Sequence, residues 1–75
     1  MENVETMIDY TSTDDGLECY IQRKDGTRTY RHICYLPEKE LFKVHDDMGG
    51  KYCIEKERFM DGEIGMAMEE GNLFF

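Results

Sequence analysis

Apolar and polar positions alternate along most of this chain. The clearest run covers residues 17–36: Leu-Glu-Cys-Tyr-Ile-Gln-Arg, then Lys-Asp-Gly-Thr, then Arg-Thr-Tyr-Arg-His-Ile-Cys-Tyr-Leu. Two stretches rich in β-branched and aromatic residues flank an Asp-Gly pair, the strongest short-range hairpin signal. Gly26 supplies the positive φ that a primed turn needs, and Asp25 tolerates it. A turn centred on Asp25-Gly26 predicts the pairs Lys24–Thr27, Ile21–Tyr30, Cys19–His32 and Leu17–Cys34. One face then carries Leu17, Cys19, Ile21, Tyr30, His32, Cys34 and Leu36, and is the better core candidate. The other carries Glu18, Tyr20, Gln22, Thr29, Arg31, Ile33 and Tyr35, and is amphipathic.

Residues 4–11 also alternate, with Val4, Thr6, Ile8 and Tyr10 on one side and Glu5, Met7 and Asp9 on the other. That period predicts a strand, although Val4, Met7 and Ile8 also fit one helical face. The cluster Ser12-Thr13-Asp14-Asp15-Gly16 reads as a turn. Pro37, which cannot donate to a ladder, ends the long hairpin and opens the polar connection Pro-Glu-Lys-Glu. A second hairpin follows: residues 41–45, the loop Asp46-Asp47-Met48-Gly49-Gly50, and a return strand over residues 51–57. Pairing Phe42 with Ile54 and Val44 with Tyr52 sets four large apolar groups on one face. Lys43, His45, Lys51, Cys53 and Glu55 take the other.

The tail changes period. Met60, Ile64, Ala67 and Met68 recur at helical spacing, with Asp61 as a starting cap and Gly71 at the C′ position. Gly62 and Gly65 each weaken that helix by about 1 kcal/mol against alanine, so it is short. Leu73, Phe74 and Phe75 are too apolar to stay in water cheaply, and either fold back on the sheet or meet a partner. The fold class expected is mainly β, bordering on α+β. It is an antiparallel meander of four or five short strands with a short C-terminal helix. A curled sheet covered by the tail, or a small half-barrel similar in strand count and length to SH3-like barrels, would accommodate it.

At 75 residues the chain is one small domain, residues 1–75, with a small core and a thin margin of stability. A mean hydropathy of -0.68 and a charged share of 35% mean a heavily solvated surface. There is no run of 18 apolar residues and the N-terminus has no secretion-signal pattern, so a cytoplasmic protein is expected. The three cysteines include no Cys-x-x-Cys and read as reduced thiols packed as small apolar groups.

Charge changes the picture most. Seventeen acids against nine bases give a net charge of -8. That argues against direct nucleic-acid binding, which leaves a basic footprint, and against anionic membrane surfaces. Residues 1–22 hold six acids and no base, and residues 59–75 hold four acids and no base. The middle, residues 23–58, holds seven acids and nine bases, so the net charge comes from the two ends. If the termini meet, they make one acidic surface; otherwise the acids serve solubility.

Three chemistries fit the residue types. On the predicted register Cys19 faces His32 with Cys34 beside it, a trio able to hold zinc with His45 or Cys53 as fourth ligand. Its spacing lacks the tight pairs of structural zinc sites, and no cofactor is expected. Cys19 or Cys34 beside His32 is also the minimum for a thiol nucleophile, but both sit mid-strand on the core face, where thiols are inert. The acid pairs Asp14-Asp15, Asp46-Asp47 and Glu69-Glu70 read as solvated turn and cap residues. The 46–50 loop lacks the alternating oxygen ligands of a calcium site. No enzyme is expected.

Binding by surface remains. Tyrosine and arginine are enriched at interface hot spots, which draws attention to Tyr20, Tyr35 and Arg31 beside Glu18. Together with Asp14, Asp15, Glu69 and Glu70 they form the candidate partner-binding set. The function expected is a small acidic, non-enzymatic protein-binding module. Its partner would be a basic protein, most concretely one whose nucleic-acid-binding surface it occupies, with acids standing in for phosphates. In size and charge, though in no motif, the chain is similar to phage-encoded inhibitors of host defence nucleases, including anti-CRISPR proteins and DNA mimics. The alternatives are a homo-oligomeric structural or assembly protein, a homodimer being the simplest, and a small zinc-stapled domain.

Overall fold

The computed structural model describes residues 4–11 and 16–75, with side chains for residues 7–9, 11 and 16–75. The elements run α1 (Val4–Thr11), β1 (Leu17–Gln22), β2 (Arg28–Leu36), β3 (Leu41–Asp46), β4 (Lys51–Glu55), a 3₁₀ segment η1 (Lys56–Asp61), α2 (Glu63–Glu70) and β5 (Leu73–Phe74). The five strands form one antiparallel sheet in the order β4-β3-β2-β1-β5. The fold is mainly β, as the pattern predicts. The sheet is open, however, with β4 and β5 at opposite edges, and no barrel closes.

The first hairpin forms, one residue out of the expected register. Gly26 donates its N–H to the Arg23 carbonyl at 3.0 Å, and Arg23 donates to Thr27 at 2.9 Å, so Gly26 at φ 92 is the last residue of a three-residue loop. Asp25 stiffens the loop by accepting from both the hydroxyl (2.7 Å) and the N–H (3.0 Å) of Thr27. The pairs are therefore Cys19–Arg31, Tyr20–Tyr30 and Ile21–Thr29 rather than Cys19–His32 and Ile21–Tyr30. A slip of one residue turns every β2 side chain over relative to β1. Ile33 and Tyr35 face the core, while Tyr30, His32 and Cys34 face outward. The second hairpin selects this outcome. It pairs Phe42 with Ile54 and Val44 with Tyr52, as expected, and β3 in turn aligns Phe42 with Tyr35 and Val44 with Ile33. Burying Ile33 and Tyr35 removes far more apolar area from water than burying His32 and Cys34.

One face of the sheet is covered by the helical elements, and among the described residues no element packs on the other, the bare face. Met7 of α1, Phe59 of η1, and Ile64 and Met68 of α2 join Cys19, Ile33, Tyr35, Phe42 and Val44 in a single core. Phe59 stacks on Phe42 with ring centroids 3.9 Å apart. Residues 4–11 are helical, not a strand. Met7 and Thr11 are both buried, and the Thr11 hydroxyl donates to the Met7 carbonyl one turn back at 3.0 Å. The β1 edge, where a strand from this segment would have to pair, is taken at Tyr20 and Ile21 by the other end of the chain.

That end folds back on its own sheet. Gly71 at φ 78 terminates α2, and Asn72 accepts from the Gln22 N–H at 2.9 Å. Leu73 then pairs with Ile21, and Phe74 with Tyr20. Two other expectations need correction. The return strand stops at Glu55, and residues 56–57 already belong to η1. Gly62, not Asp61, occupies the N-cap of α2, with no side-chain cap.

Candidate functional site

Strand alternation and the single covered face sort the chemistry into two surfaces. The bare face of the sheet carries Glu18, Tyr20 and Gln22 from β1, Arg28, Tyr30, His32 and Cys34 from β2, Lys43 and His45 from β3, and Lys51, Cys53 and Glu55 from β4. An aromatic row crosses three strands. Tyr20 lies 5.6 Å from Tyr30 and 5.5 Å from Phe74, centroid to centroid, with Tyr30 and Phe74 both exposed. The Arg28 guanidinium sits 4.6 Å from the Tyr20 ring centre and donates to Gln22 at 2.9 Å. Beside this row His32 and His45 meet edge to face at 5.9 Å. They border a shallow depression of about 210 Å³, lined also by Glu18, Tyr30 and Asp47.

The acids are concentrated in the segments of the chain that form and flank the helices. Residues 1–16 and 56–75 contain ten acids and two bases, Lys56 and Arg58. Residues 17–55, which make up the four long strands and their loops, contain seven of each. The whole net charge therefore belongs to the chain that forms and flanks the helices. Glu69 and Glu70 stand exposed at the end of α2, with Glu57 and Asp61 exposed on η1.

The candidate partner-binding set is divided by this geometry. Glu18 and Tyr20 lie on the bare face. Tyr35 is buried against Phe42 at 4.9 Å between centroids, and is no contact residue. Arg31 is on the covered side, where its Nε donates to Glu63 at 2.5 Å and so ties β2 to the first turn of α2. Glu69 and Glu70 belong to the helical layer. Asp14 and Asp15 lie outside the described residues. Tyr30, Phe74, Arg28 and His45 took the place of Tyr35 and Arg31 on the bare face. The sequence held a signal for them: Ile33 and Tyr35 are the larger apolar pair of β2, and a three-residue loop ending at Gly26 turns that pair inward.

The zinc trio is separated as well. Cys19 points into the core, whereas His32 and Cys34 are on the opposite face. Among the described residues no group of three or more His, Cys, Asp or Glu side chains is placed to hold a metal ion. Burial pushes the Cys19 thiol up to about 12, with Arg31 opposing and Glu63 and Glu18 adding to the rise. It is a packed, protonated group, and no histidine reaches it across the sheet. Cys53 is exposed at the β4 edge. In the 46–50 loop, Asp46 accepts from the N–H groups of Met48 at 2.9 Å and Gly50 at 2.7 Å, which closes the turn and uses a carboxylate oxygen that a cation would need.

No described helix is long and apolar enough to cross a membrane. Compared with known proteins, the chain matches no family model, no curated sequence and no solved structure.

Proposed function

We propose that this chain is a small non-enzymatic binding module that docks its acidic helical layer on a basic protein surface. The most concrete occupant is the nucleic-acid-binding groove of a partner protein, with carboxylates in the positions that phosphates would take. The observation that carries this reading is the partition of charge. Charge kept only for solubility has no reason to segregate, yet the seven acids of the strand region are balanced by seven bases, while the ends of the chain hold ten acids against two bases and so the full -8. One-sided charge steers encounter with a basic groove and orients the module on arrival.

Affinity capture from the source cells, with mass spectrometry, tests the idea using two variants that each remove three charges. Asp61→Asn/Glu69→Gln/Glu70→Gln neutralises the helical layer. Glu38→Gln/Glu40→Gln/Asp47→Asn neutralises loops of the sheet. The expected result is a basic protein captured by the wild type and by the loop variant, lost with the helical-layer variant, and displaced by added duplex DNA and by salt. Equal losses in the two variants, or capture indifferent to both salt and DNA, would overturn the proposal.

A further inference from the structure

We propose that β4 is a self-complementary edge through which two copies of this chain pair antiparallel, making one continuous ten-stranded sheet. The inference is independent of how the helical layer is used.

The argument begins with the open backbone groups of β4. Asp46 donates to the Gly50 carbonyl at 2.9 Å, and Lys56 donates to the Glu40 carbonyl at 3.0 Å. Hydrogen-bonded pairs alternate along an antiparallel ladder, so Tyr52 and Ile54 also turn their N–H and C=O groups toward β3. Those of Lys51, Cys53 and Glu55 point away from the sheet, along an edge that no strand among the described residues covers. Open edges of this kind are templates for pairing unless their side chains repel a second strand.

These side chains do the opposite. The strand reads Lys-Tyr-Cys-Ile-Glu, which is complementary to itself when reversed. A two-fold axis through Cys53 places Lys51 opposite the partner's Glu55, and Glu55 opposite the partner's Lys51. This register also uses all three outward residues and forms six backbone hydrogen bonds. Sliding by one pair leaves four bonds and sets Lys51 opposite cysteine. Tyr52 falls opposite the partner's Ile54 at a non-hydrogen-bonded position, where facing side chains come closest. Tyr52 is 45% exposed in the single chain. Ile54 borders a depression of about 320 Å³ that runs beside β4 to Arg58 and Asp61, and the incoming strand would cover it. Approach along this edge meets no net charge from β4 and the η1 segment that follows it, where Lys51, Lys56 and Arg58 balance Glu55, Glu57 and Asp61.

The other edge offers no such match. β5 has only two residues, and its Phe74 is already stacked on Tyr20.

Sedimentation velocity of the purified protein over a wide concentration range tests the proposal. The wild type is expected to show a monomer–dimer equilibrium. Lys51→Glu and Glu55→Lys each place like charges opposite one another twice, and should weaken dimerisation by about tenfold or more. The double swap Lys51→Glu/Glu55→Lys restores both opposite-charge pairs and should restore the dimer. Circular dichroism checks that every variant folds. A short bismaleimide should cross-link the dimer through Cys53 on the two-fold axis, and Cys53→Ser should abolish that product. A wild type that stays monomeric at millimolar concentration would overturn the proposal. So would a dimer that both single reversals leave intact, which would place the contact elsewhere.

Discussion

Replacing Gly65 with alanine sets local preference against packing, and the two disagree in sign. Gly65 lies inside α2, where alanine is better than glycine by about 1 kcal/mol in an isolated helix. On that ground Gly65→Ala should stabilise the protein. The structure predicts the reverse. A Cβ built on Gly65 would stand 2.3 Å from the Met60 Cα and 2.6 Å from the Met60 carbonyl carbon and oxygen, against an ordinary contact of 3.4–4 Å. The atoms it meets are backbone, so no rotamer change relieves the clash. η1 must move from α2 by about 1 Å, and Phe59 with it, which disturbs the ring stacked on Phe42 at 3.9 Å. Overpacking of this kind costs about 1–3 kcal/mol and belongs at the upper end when the backbone has to shift. Set against the propensity gain, the net loss is about 2 kcal/mol, or about 8–16 °C in Tm for a domain of this size. Thermal and urea unfolding followed by circular dichroism measure it. Gly62→Ala is the comparison, because its Cβ would meet Ile54 and the Phe59 carbonyl at 3.4 Å, an ordinary contact. That variant should lose less than about 1 kcal/mol, the cost of a poorer N-cap residue. A Gly65→Ala protein as stable as the wild type, or more so, would refute the close approach of η1 and α2.

Two further outcomes follow from the register and the thiols. Ile33→Ala should destabilise by about 2–5 kcal/mol, as a fully buried residue of the core, whereas Cys34→Ser on the bare face should change stability by less than about 1 kcal/mol; urea midpoints compare them, and the opposite order would restore the two-residue turn. Cys53 should be alkylated rapidly in the native protein and Cys19 only on unfolding, as read by mass spectrometry against time. Since burial holds the folded Cys19 thiol near 12 while an unfolded thiol titrates near 9.0, the unfolded chain loses a proton that the folded one keeps. This contribution to stability is complete below about pH 9 and falls as pH rises toward 12. A Cys19→Ala variant should show a shallower alkaline loss.

The two surfaces have different origins. The acidic layer is a property of where the helices lie in the chain. The aromatic row on the sheet depends on the turn at Gly26, since the other register would have buried Tyr30 and His32 and displayed Tyr35.

Local chemistry legible in the sequence determined much of this protein. The Asp-Gly pair and its flanking β-branched and aromatic residues specified a hairpin, and Pro37 specified its end. The alternation through Phe42, Val44, Tyr52 and Ile54 specified the second hairpin in its correct register. Helical spacing from Met60 to Met68, with Gly71 after it, specified α2. The uneven distribution of acids was equally plain. Each of these signals lies within a few residues of the structure it produces. What the tertiary structure alone decided are choices between locally equivalent states. Residues 4–11 suit a strand or a helix, and as a helix Met7 and Thr11 find cover against the core while β5 takes the β1 edge at Tyr20 and Ile21. An Asp-Gly turn can close over two residues or three. The choice was made on the neighbouring strand β3, by Phe42 and Val44 aligning Tyr35 and Ile33 inward. A period of two carries no information about which of its faces is buried, so the sides taken by Arg31, Tyr35 and Cys34 followed from the larger apolar area that the core could remove from water.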